Sequence, residues 1–258
     1  MIKIENLFKS FGPLDVLRSL NLVFDEPAIY AILGPNGSGK TTMIKSIMGM
    51  VHPDQGKIKI GQQELTSRDS EYRKLISYVP QIARFPENLT VFELIRMIEN
   101  LRGPADRKDE LIDLFEIRDL LTKKFRFLSG GMKQRVNLVV ALMHDNPVLI
   151  LDEPTSGLDP IAMISLKAFL AREKERGKII LISSHILSFV DEMADQIVFL
   201  LEGRIYYSGL LSRLKRSFGT RDLETAIAHI LRGDPPLTGN GNGETEQEKS
   251  IKVKRSHE

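Results

Sequence analysis

The sequence predicts an α/β chain, and three observations predict it. An apolar run, Ala28–Leu33, leads into a glycine-rich loop and then into the helical pattern Thr42–Met50. A second run, Val148–Leu151, ends in Asp152-Glu153. A third, Lys178–Ile182, ends in Ser183-Ser184-His185. Short apolar runs bounded by turn residues, with helical periodicity between them, are the strands of a buried sheet.

The loop between the first strand and its helix, Gly34-Pro35-Asn36-Gly37-Ser38-Gly39-Lys40-Thr41, fits G-x-x-x-x-G-K-[ST] in its strand–loop–helix setting. Its glycines let the backbone wrap a polyphosphate, so that N–H groups and the helix N-terminus face the oxygens. Gly34, Asn36, Gly37, Ser38, Gly39, Lys40, Thr41 and Thr42 are the candidate contacts. Lys40 reaches the β- and γ-phosphates, and the Thr41 hydroxyl holds Mg²⁺. The pattern predicts a nucleoside triphosphate site.

Composition narrows the class. With 258 residues, 42% hydrophobic and 27% charged, the chain is long enough for one large domain or two small ones around a real core. A net charge of +2 without a basic stripe gives no reason to expect nucleic acid. The absence of cysteine removes disulfides, thiolate metal sites and thiol nucleophiles, and suits a reducing cytosol. The first residues alternate like a strand and lack a signal peptide's apolar core, and no apolar run approaches the ~18 residues of a membrane span. The expectation is a chain that does not cross a membrane.

In chain order, residues 2–33 read as strands with turns at Gly12-Pro13 and Glu26-Pro27. Phe11, before the first turn, either stacks on an adenine ring or belongs to a hairpin or core. His52–Gly56 is a turn and Lys57–Ile60 a strand. Ile76–Gln81 is a short strand broken by Pro80, leaving Gln81 to bind Mg²⁺, to orient a water or to be a loop residue. Residues 90–123 are helical, with Val91, Leu94, Ile95 and Ile98 on one face and Leu111, Leu114 and Phe115 on another, a helical subdomain set at about 82–145. Ser129, Gly130 and Gly131 open a further helix, either as an anion site or as an N-cap followed by glycines. Val136, Val139, Val140 and Met143 continue its apolar face. Asp152 is placed to hold the metal, through water, and Glu153 to act as general base. His185, past a strand end, senses the γ-phosphate or is structural. Strands Gln196–Leu201 and Arg204–Ser208 and helical patterns to about Leu231 follow. Residues 233–258, rich in Gly, Pro, Glu and Lys, read as a disordered tail.

Taken together these motifs resemble the ATP-binding subunit of ABC transporters over about residues 1–215. Gly34–Thr41 corresponds to Walker A, Gln81 to the Q-loop glutamine, and Leu128–Met132 to the signature. Leu149–Glu153 corresponds to Walker B, Ser156–Asp159 to the D-loop, and His185 to the switch histidine. Phe11 corresponds to the A-loop aromatic, where Tyr is commoner. The resemblance implies the P-loop NTPase fold of ABC ATPase type, a mixed sheet core with an antiparallel β subdomain and a helical subdomain. It implies a Mg²⁺-dependent ATPase whose two copies face head to tail. ATP then lies between one chain's loop and the other's Ser129, Gly130, Gly131 and Asp159. A separate transmembrane permease docks near residues 80–125, placing the chain on the cytoplasmic face of the membrane.

Asp159–Ala162 and Ser184–Leu187 resemble ABC-2-type exporter ATPases, among them the subunit serving nitrous-oxide-reductase copper-site maturation. The chain itself has no clustered Cys, His or Met with copper-ligand spacing. A soluble ABC ATPase of DNA repair or ribosomes is the alternative. The repair type carries a coiled-coil insertion absent here, and the ribosomal type usually fuses two ATPase units where this chain has one. A kinase or GTPase is disfavoured by the signature, by Glu153 directly after Asp152, and by the lack of N-K-x-D.

Overall fold

The computed structural model of the chain describes residues 1–65 and 71–237. Its elements are β1 (Ile2–Phe11), β2 (Leu14–Phe24), β3 (Ile29–Leu33), α1 (Lys40–Ile47), β4 (Gln55–Ile60), β5 (Gln63–Glu64) and β6 (Ile76–Val79). Then come α2 (Val91–Arg102), α3 (Lys108–Leu114), α4 (Gly130–Leu142), β7 (Val148–Asp152), α5 (Pro160–Glu175), β8 (Ile179–Ser183), α6 (Leu187–Met193), β9 (Gln196–Leu201), β10 (Arg204–Leu210), α7 (Leu211–Ser217) and α8 (Leu223–Arg232). Contacts divide the chain into two units, residues 1–212 and residues 213 onward.

In the first unit the alternating N-terminal strands form an antiparallel sheet in the order β2-β1-β4-β5, and the fully apolar strands form a mixed sheet in the order β10-β9-β3-β8-β7-β6. Every residue of β3, β7 and β8 is buried, which is how parallel strands covered on both faces read in sequence. Only β10 runs antiparallel, at the edge, which makes the sheet mixed as expected. Both sheets and α1 share one core, in which Ile2, Ile4 and Leu7 meet Met43, Ile44 and Ile47 and the β-sheet residues Ile32, Ile150 and Leu181.

The helical block breaks where its residues say it should. Thr90 and Glu93 form a capping box that starts α2, and Gly103, with φ 95°, ends it just before Pro104. Val91, Leu94 and Ile95 are buried as the periodicity predicts, while Ile98 is half-buried. The first helix begins at Lys40, two residues before the predicted start, because Gly39 adopts a left-handed conformation (φ 102°) at its N-cap. Among the described residues no helix is long and apolar enough to cross a membrane.

Within the second unit α8 buries Leu223, Ala226, Ile227 and Ile230, is capped by Asp222, and ends at left-handed Gly233. Of the expected tail only residues 233–237 are described. There Asp234 meets the His229 ring at 2.7 Å, and the Leu237 amide donates to the Ser217 carbonyl at 2.7 Å. The rest lies outside the described residues.

At the N-terminal ends of β7 and β8 the helical block is tied to the sheet by ions. Glu173, at the end of α5 and fully buried, receives Arg107 and Lys178, each at 2.5 Å. Lys178 also pairs with Asp145. Burial alone would raise the Glu173 carboxyl, but the hydrogen bonds from Arg107 and Lys178 outweigh it and hold the group below its ordinary range. A depressed carboxylate stabilises the fold at neutral pH, and that stability is lost as pH falls through the folded value. The melting temperature is therefore expected to decline progressively below about pH 4.3. Glu173→Gln removes the buried carboxylate that Arg107 and Lys178 share, leaving them only Glu110 and Asp145 nearer solvent, and should remove about 3 kcal/mol, read as a lower urea midpoint at pH 7. An unchanged midpoint would show that the cluster is not a tie.

Candidate functional site

The parallel strand order places the C-terminal ends of β3, β8 and β7 side by side, and the sequence-predicted groups emerge there. The loop after β3 is shaped by close approach. A Cβ on Gly34 would lie 2.1 Å from the Leu200 carbonyl oxygen, and one on Gly39 2.8 Å from that of Val16, so only glycine fits at either place. Gly39 offers α1 no side-chain cap, which leaves the amides of the first helical turn to a ligand. Lys40 folds over the loop, its Nζ donating to the Gly34 carbonyl at 2.7 Å and the Pro35 carbonyl at 3.1 Å. Burial pushes its ammonium below the ordinary range, against the pull of the Glu153 and Asp152 charges. Ser38 is buried and its Oγ has no partner among the described residues, while Asn36, Gly37 and Thr41 are exposed and Thr42 half-buried. An uncapped helix start, an orphaned hydroxyl and a cation over a glycine cradle fit a polyphosphate.

Asp152 ends β7 directly opposite Ser183 of β8. The Ser183 hydroxyl donates to Asp152 Oδ1 and accepts the Glu153 amide at 3.1 Å. Glu153 turns off the strand with φ 50°, a left-handed conformation that a non-glycine residue keeps only when its surroundings enforce it. That bend brings its carboxylate to His185, whose ring Nδ1 lies 2.7 Å and whose amide lies 3.2 Å from Oε2. The His185 side chain is 71% exposed and the Glu153 side chain 11%. Burial and then the Asp152 charge push the nearby Tyr78 hydroxyl up to about 12. Gln81, exposed, follows β6, the strand beside β7. Among the described residues no group of three or more His, Cys, Asp and Glu side chains could hold a metal alone. A Mg²⁺ site made of one hydroxyl, one carboxylate and phosphate oxygens needs no such group.

Phe11 is half exposed at the β1–β2 hairpin, so it is not a core residue, and Lys9 Nζ lies over its ring, 5.3 Å from the centroid. Ser129 caps α4, accepting the Met132 amide at 3.4 Å, with Gly130 and Gly131 opening the helix behind it. A Cβ on Gly131 would lie 2.7 Å from the Gly157 carbonyl oxygen, so this helix start is packed on the turn 156–159. Asp159 closes that turn, capping α5 at the Ala162 amide (3.0 Å) and pairing with Arg135. The structure thus forms two clusters. Lys40, Asp152, Glu153 and His185 converge, and Ser129–Gly131 stands with Gly157–Asp159. Among the described residues no hydrogen bond or ion pair joins the second cluster to the loop 34–42.

Sequence reasoning missed Ser183, which joins Asp152 to Glu153. Its hydroxyl at a strand end was visible, but its partner is set by the strand pairing.

Comparison with known proteins follows the same lines. A family profile described as "ABC transporter" matches residues 17–156. The lantibiotic transport ATP-binding protein SrtF of Streptococcus pyogenes is 35% identical over 206 residues, covering 80% of this chain and 89% of that protein. The Nod factor export ATP-binding protein I of Burkholderia lata is 34% identical over 208 residues, covering 79% of this chain and 68% of that one. Among solved structures, the dimeric MJ0796, a bacterial ABC transporter cassette, superposes with a TM-score of 0.73 at 26% identity, covering 82% of this chain and 99% of that one.

The Lys40 side chain gives the first check on the site. Lys40→Ala removes a charge-assisted phosphate contact and should weaken Mg²⁺-nucleotide binding about ten-fold or more in a direct titration. Unchanged affinity would overturn the assignment of the loop.

Proposed function

The chain belongs to the ABC transporter ATP-binding family and is an ATPase, and from that premise we propose that it powers export through a separate membrane permease as a head-to-tail homodimer. The observation that carries the dimer is the placement of Ser129–Gly131. It is a helix start, capped at the Met132 amide by Ser129, whose glycines suit a phosphate, yet it is packed on its own turn 156–159 and, among the described residues, not bonded to its own loop 34–42. Its phosphate is supplied by the loop of a second copy. The dimeric arrangement of MJ0796 and the export role in the name of the Burkholderia relative support the reading. The permease holds the chain at the cytoplasmic face of the membrane. The narrower candidate, service to nitrous-oxide-reductase copper-site maturation, rests on Asp159–Ala162 and Ser184–Leu187 alone.

Each residue then has a task. Phe11 stacks on the adenine. The amides of 34–42 and Lys40 hold the phosphates, with Ser129, Gly130, Gly131 and Asp159 of the second copy closing over them. Mg²⁺, when bound, neutralises phosphate charge, and Thr41, Asp152 and Gln81 are the groups that would hold it. Glu153 takes the proton of the attacking water as that water's oxygen bonds to the γ-phosphorus and ADP leaves. His185 occupies Glu153 Oε2 through Nδ1, which leaves Oε1 for the water, and with a proton on each ring nitrogen the same side chain donates from Nε2 to the γ-phosphate. Ser183 holds Asp152 and the Glu153 amide in one hydrogen-bonded unit.

Two measurements test this reading. Glu153→Gln keeps shape but not basicity, so ATP binding should persist while turnover falls at least about a hundred-fold and a dimer accumulates in ATP. Hydrolysis at the wild-type rate would remove Glu153 as the base. Mixing Ser129→Arg with Lys40→Ala, each inactive alone, should restore ATPase activity, because one site of the mixed dimer pairs two intact halves. Full activity of Ser129→Arg alone would be fatal to the shared site.

A further inference from the structure

Behind Ser129–Gly131, helix α4 carries two buried amides. Gln134 and Asn137 lie three residues apart and so share one side of the helix. They are 7% and 1% exposed. Gln134 Nε2 donates to the Pro154 carbonyl at 2.9 Å. Asn137 Nδ2 donates to the Pro80 carbonyl at 3.0 Å and to Gln134 Oε1 at 3.3 Å.

Both acceptors flank reacting groups. Pro80 immediately precedes Gln81, and Pro154 immediately follows Glu153. A proline has no N–H, so its carbonyl is the main-chain group through which it can be hydrogen-bonded. The Pro80 carbonyl lies in the same planar peptide unit as the Gln81 amide, so holding one orients the other. The Pro154 carbonyl secures the turn behind Glu153, whose left-handed backbone survives only where neighbours hold it.

Packing gives Asn137 no reason to be polar. Its Oδ1 is buried with no partner among the described residues, a standing penalty that alanine would avoid. Alanine is also the better helix former. What asparagine supplies is the donor to Pro80.

We propose that Asn137 is a positioning residue. With Gln134 it yokes the segment bearing Gln81 and the turn bearing Glu153 to helix α4. The reacting groups of one ATP site then move with the helix whose Ser129–Gly131 end serves the other site. The inference rests on the shared-site reading above. It places the effect of Asn137 in turnover and in communication between sites, not in nucleotide affinity.

Asn137→Ala removes the orphaned Oδ1 but also takes the donor from the Pro80 carbonyl and Gln134 Oε1, two effects of opposite sign, so folding should be preserved. The melting temperature should change by no more than a few degrees, and ATP affinity should stay within about two-fold. The kcat should fall about five-fold, the size of one lost neutral hydrogen bond. The dependence of rate on ATP should turn from sigmoidal towards hyperbolic. Asn137→Gln, which keeps an amide donor, should recover part of kcat, and Asn137→Leu should not. Wild-type kcat in Asn137→Ala overturns the inference. So does a joint loss of melting temperature, affinity and kcat, which is what a purely structural residue would give. A hyperbolic wild-type profile with no recovery in the mixing experiment would tell against shared sites, and the kcat comparison alone would then decide whether Asn137 positions Gln81.

Discussion

Asp152 stands opposite Ser183 in the parallel pairing of β7 with β8, and the chemistry of the molecule depends on that register. A slip of one residue would turn Asp152 to the other face of the sheet. The Ser183 hydroxyl could then no longer serve both the aspartate and the Glu153 amide. Both strands are buried along their whole length, so core packing on two faces holds the register and no loop has to. From that fixed point Glu153 bends into its left-handed conformation and reaches His185.

What could be read from the sequence was whatever is local. Gly34–Thr41, Asp152-Glu153 and His185 announce themselves because the signal is a residue type at a set distance from an apolar run. The double role of Ser183 could not be read, since it depends on which strand lies beside which, and β8 lies between β3 and β7 against sequence order. Glu173 sits in Arg172-Glu173-Lys174-Glu175-Arg176, a run that reads as a solvated helix end. Its buried partner Arg107 is 66 residues away. Asn137 hid in the opposite way, as one polar residue inside the apolar face of Val136, Val139, Val140 and Met143. For Ser129 both readings hold, since it caps its helix and leaves that helix's first amides open.

The two ends of the parallel sheet are built for opposite purposes. At the N-terminal end, Glu173, Asp145, Arg107 and Lys178 satisfy one another at close range and leave little to give. At the C-terminal end, buried hydroxyls of Ser38 and Thr155 lack partners among the described residues, and a non-glycine residue is held at positive φ. Unmet hydrogen-bonding capacity and strain persist at one end because the other anchors the same strands. The site can accept a ligand's oxygens because the Ser38 hydroxyl and the uncapped first turn of α1 are not already spent within the chain.

The contact between Gly131 and Gly157 has a consequence for anyone reading mutations. With a carbonyl oxygen 2.7 Å from where a Cβ would stand, even alanine at position 131 must push helix α4 off the turn 156–159. The Arg135–Asp159 pair ties the same two parts a second time. A Gly131 allele would therefore score as a lost phosphate contact when its first injury is to shape. In a genetic screen the two lesions would look alike. A second-site revertant in the 156–159 turn would mark the steric one, because making room there cannot restore a phosphate contact that was never the thing lost.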